Sequence, residues 1–177
     1  IVRKTFPALR SSVMRDFMQI LTEGGNYYEE HHNKSNATYN LFGNLVEFIS
    51  TDQPQKLRGR KRNLLYVNEA NEITLEDWRQ LLLRTTGVEN GPSIFVDYNP
   101  SDEHHWLYEH VLERDDVDFF QTTYLDNPFL EQSVIDEIER FKETDENFWR
   151  IYGLGERGVN VSAIFPQWQV ADAIPER

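Results

Sequence analysis

Short apolar runs alternate along this chain with segments whose apolar residues recur at helical spacing. The clearest run is 64-LLYV-67, and the polar pair Asn68-Glu69 follows it at once. A run of four apolar residues between turn residues is typical of a strand that is buried in a parallel sheet. The pattern therefore predicts a buried parallel strand over 63–68, and it raises the question of why a carboxylate stands at the strand's end.

The same pattern predicts elements on both sides of this strand. Strands are predicted over 1–4, 37–42, 45–50, 93–100 and 117–123, and helices over 8–22, 74–84, 104–113, 131–142 and 145–153. Gly43-Asn44 is predicted to be the two-residue turn of a hairpin, and Thr74 with Asp77 comes close to a capping box. Because strands alternate with helices, the fold class is α/β with a mostly parallel sheet.

Composition and charge narrow the possible functions. The chain has 177 residues, 39% of them hydrophobic, and a net charge of −12. This length suits one ordinary domain with a sizeable core, and the acidic balance argues against a protein that binds nucleic acid over a broad basic face. Cysteine is absent, which excludes a disulfide framework and a thiolate metal site. The basic segment 56-KLRGRKR-62, taken alone, is best read as a solvated turn.

Polar residues follow two of the predicted parallel strands, at the edge where ligands bind in open α/β sheets. Asn68 and Glu69 end the first strand, and Asn99 ends the second. In nucleotide hydrolases, an acidic residue and a Glu after four apolar residues hold Mg²⁺ through its water and polarise the attacking water. Glu69 is therefore a candidate catalytic base, and Asn99 a candidate phosphate sensor. A loop carboxylate and a simple Asn-Pro turn stay open as alternatives.

The basic segment offers further candidates beside this site. Arg58 lies in a glycine-containing loop that leads into the strand, so it could reach the γ-phosphate bound to a neighbouring subunit as an arginine finger. Arg60, Lys61 and Arg62 could contact DNA phosphates, or could simply keep the loop in water.

Taken together, these segments resemble the ATPase domain of the large terminase subunit of tailed phages and prophages, in particular the defective-prophage group. The segments that carry the resemblance are 1-IVRKTFPALRSSVMRDF-17, 56-KLRGRKRNLLYVNEANEITLEDWRQLLLRTT-86, 94-IFVDYNP-100, 122-TTYLDNPFL-130 and 152-YGLGERG-158. The resemblance implies a RecA-like core that hydrolyses ATP with Mg²⁺ to move double-stranded DNA into a procapsid. It also implies a ring of subunits that works with a portal protein and a small terminase subunit in the cytoplasm of a bacterial host.

The resemblance implies roles for individual residues as well. Glu69 would be the catalytic base, Asn68 would take the position on the Mg²⁺ side, and Arg58 would be the finger that acts on the neighbouring subunit. Asn99 would couple hydrolysis to DNA movement, and Arg3 would line the nucleotide pocket or a subunit contact. Because Asn68 replaces the usual Asp and brings no charge, we expect weaker Mg²⁺ affinity.

A domain plan follows from the same resemblance. Residues 1–153 would form the ATPase domain, and 154–177 would lead into an RNase H-like nuclease domain. The family's phosphate-binding loop, Gly-x-x-x-x-Gly-Lys-Ser/Thr, has no match in the sequence and is expected upstream of Ile1. Two alternatives stay open: a RecA-like relative that does not hydrolyse nucleotide and serves assembly, and a metal-dependent nuclease built on Asp115, Asp116 and Asp118.

Overall fold

A computed structural model of the chain describes residues 1–53, 57, 61–86, 91–102 and 104–158. The chain divides into two compact units, residues 1–98 and residues 99–177. Within the described ranges, the first unit contains both β-sheets, and the second is built from helical segments and irregular connections. None of the described helices combines the length and the apolar character that a membrane span needs.

The described strands of the first unit form a four-stranded sheet and a three-stranded sheet. The strands are β1 (Val2–Arg3), β2 (His32–Asn33), β3 (Thr38–Leu41), β4 (Asn44–Glu47), β5 (Ile49–Ser50), β6 (Leu64–Val67) and β7 (Ser93–Val96). The larger sheet has the order β5-β1-β6-β7, and each neighbouring pair is parallel. The smaller sheet, β2-β3-β4, is antiparallel. The predicted α/β class with a mostly parallel central sheet is confirmed.

Three α-helices belong to the described part of the first unit. They are α1 (Phe6–Ser11), α2 (Val13–Glu23) and α3 (Leu75–Leu82), and one-turn 3₁₀ segments lie at Glu29–His31 and Ala70–Glu72. The helix predicted over 8–22 is therefore two helices, which meet at Ser12. The Ser12 hydroxyl donates to the Ala8 carbonyl at 2.7 Å and accepts from the Arg3 guanidinium at 2.5 Å. This junction thus ties the helices to the end of β1.

The predicted capping box at the start of α3 is present. The Thr74 hydroxyl accepts from the Asp77 backbone N–H at 3.1 Å, and the Asp77 carboxylate accepts from the Thr74 backbone N–H at 3.3 Å. Both bonds satisfy backbone donors that the first turn of a helix leaves unpaired. The sequence therefore fixes where α3 begins.

Strand β6 is buried on one face only, which corrects the prediction of a fully buried strand. Leu65 and Val67 are buried, whereas Leu64 is 58% exposed and Tyr66 is half-buried. Strand β7 has a described neighbour on one side only, and its Phe95 is 58% exposed. The face that Leu64, Tyr66 and Phe95 share is therefore open in this chain.

The predicted hairpin is present with its turn one residue earlier. Leu41 pairs with Asn44, so the loop is Phe42-Gly43, and both of these residues have positive φ, 50° and 82°. Two left-handed residues match the type I′ turn that suits the twist of a hairpin. The single strand predicted over 45–50 is divided between the sheets, because β4 ends at Glu47 and residues 49–50 pair with β1 in the larger sheet.

The second unit confirms two predicted helices and contradicts one predicted strand. Its described elements are α4 (Gln132–Thr144), α5 (Glu146–Phe148), π-helical segments at Tyr108–Leu112 and Trp149–Gly153, and a 3₁₀ turn at Tyr124–Asp126. The helices predicted over 104–113 and 131–142 are thus present, and 145–153 is α5 followed by a π-helical segment. Residues 117–123 have no regular secondary structure. Strand propensity reflects packing within a sheet, and the described part of this unit contains no sheet.

Candidate functional site

The ends of three parallel strands bring polar residues together at one edge of the larger sheet. Val67 of β6 pairs with Val96 of β7, so Asn68 and Asp97 occupy the next positions on neighbouring strands. The Asn68 backbone N–H donates to the Val2 carbonyl at 2.9 Å, and the Asp97 backbone N–H donates to the Val67 carbonyl at 3.1 Å. The backbone therefore fixes both side chains relative to β1 and β6.

The Asp97 carboxylate is the centre of the hydrogen bonds at this edge. It accepts from the Asn68 side-chain amide, whose nitrogen lies 3.1 Å from each carboxylate oxygen, and from the Glu69 backbone N–H at 2.9 Å. It also accepts from the Tyr66 hydroxyl, and the Asp97 carbonyl accepts from the Ala70 N–H at 2.9 Å. Asp97 thus ties the end of β6 to the end of β7.

Asp97 is not among the residues that the sequence predicts for this site. The predicted strand extends past it to residue 100, whereas β7 ends at Val96. The parallel register of β6 and β7 is the signal that identifies Asp97, because residues that directly follow two neighbouring parallel strands face each other. That register depends on the pairing of distant segments, so a scan for local motifs does not find it.

Tyr66 contributes a hydroxyl that remains protonated. Burial is the largest cause that raises the pKa of Tyr66 to about 12, and its hydrogen bond to Asp97 is the next. A phenol with this pKa stays protonated well above neutral pH, so Tyr66 acts as a hydrogen-bond donor to the carboxylate.

Asn68 presents an acceptor at the strand edge. Its amide nitrogen faces the Asp97 carboxylate, while its Oδ1 atom is buried and has no hydrogen-bond partner among the described residues. An unpaired buried carbonyl oxygen costs about 1–3 kcal/mol. The unpaired Oδ1 is therefore an acceptor that a bound group can satisfy.

Glu69 has an unusual backbone conformation for a residue with a side chain. Its φ of 53° and ψ of 55° lie in the left-handed region, which strongly favours glycine. Residues other than glycine that adopt this conformation cluster at functional sites. The side chain is half-buried. Burial is the main cause that raises the pKa of Glu69; the Asp97 charge also raises it, and Arg3 opposes the shift.

Arg3 brings a positive charge to the same edge from the end of β1. Its guanidinium donates to the Ser12 hydroxyl at 2.5 Å, and its Nε atom lies 3.7 Å from a Glu72 carboxylate oxygen. The Nε atom is buried and makes no hydrogen bond to any residue that the structure describes. The structure therefore brings Arg3, Asn68 and Glu69 together, as their predicted placement requires.

The basic segment 56–62 lies only partly within the described residues. Arg58 and Arg60 lie outside the described residues, and Lys61 is exposed. Arg62 is half-buried, and its backbone N–H and carbonyl bond to residues 84 and 86 at 2.8 and 2.9 Å. Burial is the main cause that lowers the pKa of Arg62. The DNA-contact role of these residues stays a prediction.

The remaining predicted groups lie in the second unit. The Asn99 carbonyl accepts from the Ser101 N–H at 2.8 Å, and the role of Asn99 stays a prediction. Asp116, from the acidic group of the nuclease alternative, accepts two hydrogen bonds from the Arg114 guanidinium at 2.7 and 2.6 Å, which hold the pKa of Asp116 below its usual value. Among the described residues, no three His, Asp or Glu side chains are grouped so that they could hold a metal ion.

Comparisons with known proteins match almost the whole chain. The family model described as phage terminase large subunit matches residues 1–156. The PBSX phage terminase large subunit of Bacillus subtilis (strain 168) is 23% identical over 193 residues, which covers 96% of this chain and 45% of that protein. Structures of the large terminase from a thermophilic bacteriophage, in complex with ADP and with ATP-γ-S, match with TM-scores of 0.70 and 0.71 at 22% identity. They cover 89% of this chain and 40% and 39% of those chains, so the chain spans less than half the length of these relatives.

Proposed function

Because the chain belongs to the phage terminase large subunit family, as its motifs predicted, we propose that it is part of an ATPase that moves double-stranded DNA into a procapsid. The observation that carries the proposal is the strand edge at which Asn68, Glu69 and Asp97 meet, with Arg3 beside them. ATP is the proposed nucleotide, since the structures of the thermophilic bacteriophage's large terminase are complexes with ADP and with ATP-γ-S.

Glu69 is the proposed catalytic base. It stands at the end of a parallel strand, where an α/β sheet binds its ligand. Its half-buried carboxylate follows the apolar run 64–67 and Asn68, the pattern that the sequence analysis identified. Burial and Asp97 raise the pKa of Glu69, which strengthens it as an acceptor of a proton from water. Arg3 opposes that shift and so favours the ionised form that a base requires.

The residues at this edge fit a hydrated Mg²⁺ ion. Mg²⁺ usually keeps several of its waters and takes few protein ligands. The unpaired Oδ1 atom of Asn68 is suited to accept a hydrogen bond from such a water, and that is the role we propose for it. When bound, Mg²⁺ would neutralise charge that develops on the phosphates.

Further parts of the proposed motor come from the family alone. Arg58 is proposed as the finger that acts on a neighbouring subunit of a ring, and Asn99 as the link between hydrolysis and DNA movement. Arg60, Lys61 and Arg62 are proposed to contact DNA phosphates. We further propose that sequence outside the 177 residues supplies the phosphate-binding loop, and that a portal protein and a small terminase subunit are partners.

Hydrolysis of Mg·ATP by the full-length protein tests the proposal, with DNA present and absent. Glu69→Gln removes the base but keeps the shape of the side chain, so kcat should fall about 10²-fold or more while KM for ATP changes little. The matched control is Glu76→Gln on the exposed side of α3, where the carboxylate accepts from the Gln80 amide. Its kcat should equal that of the wild type.

Two outcomes would contradict the proposal. Full turnover by Glu69→Gln would remove Glu69 from the reaction. Tight ATP binding without turnover by the wild-type protein, with or without DNA, would favour the second candidate, a terminase relative that binds nucleotide and serves assembly. The uncharged Asn68, where the family usually has an Asp, is the observation that favours this second candidate.

A further inference from the structure

An amide and a carboxylate face each other where β6 and β7 end. The Asn68 amide nitrogen lies 3.1 Å from both oxygens of Asp97, and only a donor can stand at that distance without electrostatic cost. An Asp at position 68 would place a second carboxylate there, and two carboxylates that share a site cannot both remain ionised without a large penalty. The two positions are therefore chemically coupled.

We propose that Asp97 is a positioning residue of the nucleotide site and the reason that position 68 is an amide. This inference rests on the proposed ATPase function. In this arrangement the carboxylate that position 68 lacks is supplied by Asp97, directly after β7. Asn68 and Asp97 together then take the place of a single acidic residue at the end of β6.

The first action of Asp97 is to fix which way the Asn68 amide points. With the amide nitrogen on the carboxylate, Oδ1 must face away from Asp97, and this is the buried oxygen for which the described part of the chain offers no partner. A flipped amide would set Oδ1 against the carboxylate oxygens and lose both hydrogen bonds. Asp97 therefore holds Asn68 in the orientation in which Oδ1 faces away from the carboxylate and is left to accept a hydrogen bond.

Its second action is to hold the backbone of Glu69. The carboxylate accepts from the Glu69 N–H at 2.9 Å, and the Asp97 carbonyl accepts from the next N–H, that of Ala70, also at 2.9 Å. A residue with a side chain keeps a φ of 53° only where its surroundings hold it there. Asp97 thus fixes the direction in which the Glu69 carboxylate leaves the strand.

A double-mutant cycle on the full-length protein tests this inference. Asn68→Asp should lower kcat about tenfold or more because it sets like charges together, and Asp97→Asn should lower kcat by a similar factor because it weakens the hold on both neighbours. KM for ATP should change less than kcat in each case. The pair Asn68→Asp with Asp97→Asn should recover most of the lost kcat, because the amide at 97 then donates to the carboxylate at 68.

The matched control is Asp52→Asn, which removes one charge from an exposed Asp just after β5 of the same sheet. Its carboxylate accepts from the Ser50 hydroxyl at 2.5 Å, a bond that an amide oxygen can also accept, so kcat should be unchanged. The thermal midpoint of each variant is measured in parallel without nucleotide. Both single variants at 68 and 97 should lower it, and the double variant should restore it. If Asn68→Asp does not fold, Asn68→Ala takes its place in the cycle; no rescue is then expected, and coupling instead predicts that the double variant loses no more kcat than the more impaired single variant.

Independent effects would overturn the inference. If the double variant loses the product of the two single losses in kcat, or if Asp97→Asn turns over ATP like the wild type, Asp97 does not position the site. If the wild-type protein hydrolyses no ATP, the proposed function fails, and the thermal midpoints alone decide whether positions 68 and 97 are coupled. Additive shifts in the midpoints would then refute the coupling, and restoration in the double variant would support it.

Discussion

At the scale of single residues, the end of β6 keeps the Glu69 carboxylate partly out of water, and Asp97 fixes its backbone. Glu69 is half-buried in a left-handed conformation, and Asp97 accepts its backbone N–H. Both features cost stability, since burial disfavours a charge and the left-handed region disfavours a side chain. Costs of this kind are found where function requires them.

The left-handed conformation of Glu69 predicts that glycine is more stable than alanine at this position, the reverse of the usual order in a helix. Glu69→Gly should be more stable than Glu69→Ala by about 1 kcal/mol, because only the Ala variant keeps a Cβ in the left-handed region. Chemical denaturation of the two variants measures the difference. The same pair at Arg79, an exposed residue in the middle of α3, should show the opposite sign by about 1 kcal/mol, since Gly is the poorer helix former. A more stable Ala at both positions would contradict the backbone conformation of Glu69.

Residues of this site differ in how far the sequence predicts them. Asn68 and Glu69 follow directly from a run of apolar residues and so can be read locally. Asp97 reaches Asn68 and Glu69 because β7 pairs with β6 in a register that aligns Val96 with Val67. No local sequence pattern predicts this register. Arg58 and Arg60 lie outside the described residues, so their predicted roles stay predictions.

At the scale of elements, local signals worked wherever the cause of the structure was local. The capping box set the start of α3, and α2 ends at Glu23, directly before Gly24-Gly25, where Gly25 has a positive φ of 68°. The hairpin turn shifted by one residue because Phe42 adopts positive φ, which sequence alone makes improbable for a bulky side chain. Residues 49–50 pair with β1 in the parallel sheet and not with the hairpin strand. This pairing joins segments far apart in the sequence, so no local signal predicts it.

The capping box of α3 provides a test at this scale. Thr74→Ala removes the acceptor for the Asp77 backbone N–H and should lower the free energy of unfolding by about 1 kcal/mol. The control is Thr22→Ala at an exposed position of α2, where the hydroxyl donates to the Met18 carbonyl at 2.8 Å. This change should be neutral or slightly stabilising, because Ala is the better helix former. Urea denaturation measures both, and equal losses would refute the capping role.

At the scale of the whole molecule, the alternation of strands and helices predicted the α/β class, and the resemblance of the motifs predicted the family; both are confirmed. The domain plan of 1–153 and 154–177 stays a prediction, because residues beyond 158 are not described. The net charge of −12 limits any DNA contact to a local basic surface. The chain also spans less than half the length of its relatives. The larger sheet has an open face in this chain, described above.

That open face leads to a prediction for the 177-residue chain on its own. Parallel sheets are normally covered on both faces, yet Leu64 and Phe95 are each 58% exposed, and β7 has a described neighbour on one side only. An uncovered apolar face beside an unpaired edge favours self-association. The isolated chain should therefore bind a hydrophobic dye and elute as more than a monomer in size exclusion with light scattering, and Phe95→Lys should reduce both signals severalfold. Ile20→Lys is the control, because Ile20 is 67% exposed and lies on α2 and not in a strand of this sheet. An equal reduction by both variants would show that general surface polarity, and not the open face of the sheet, governs association.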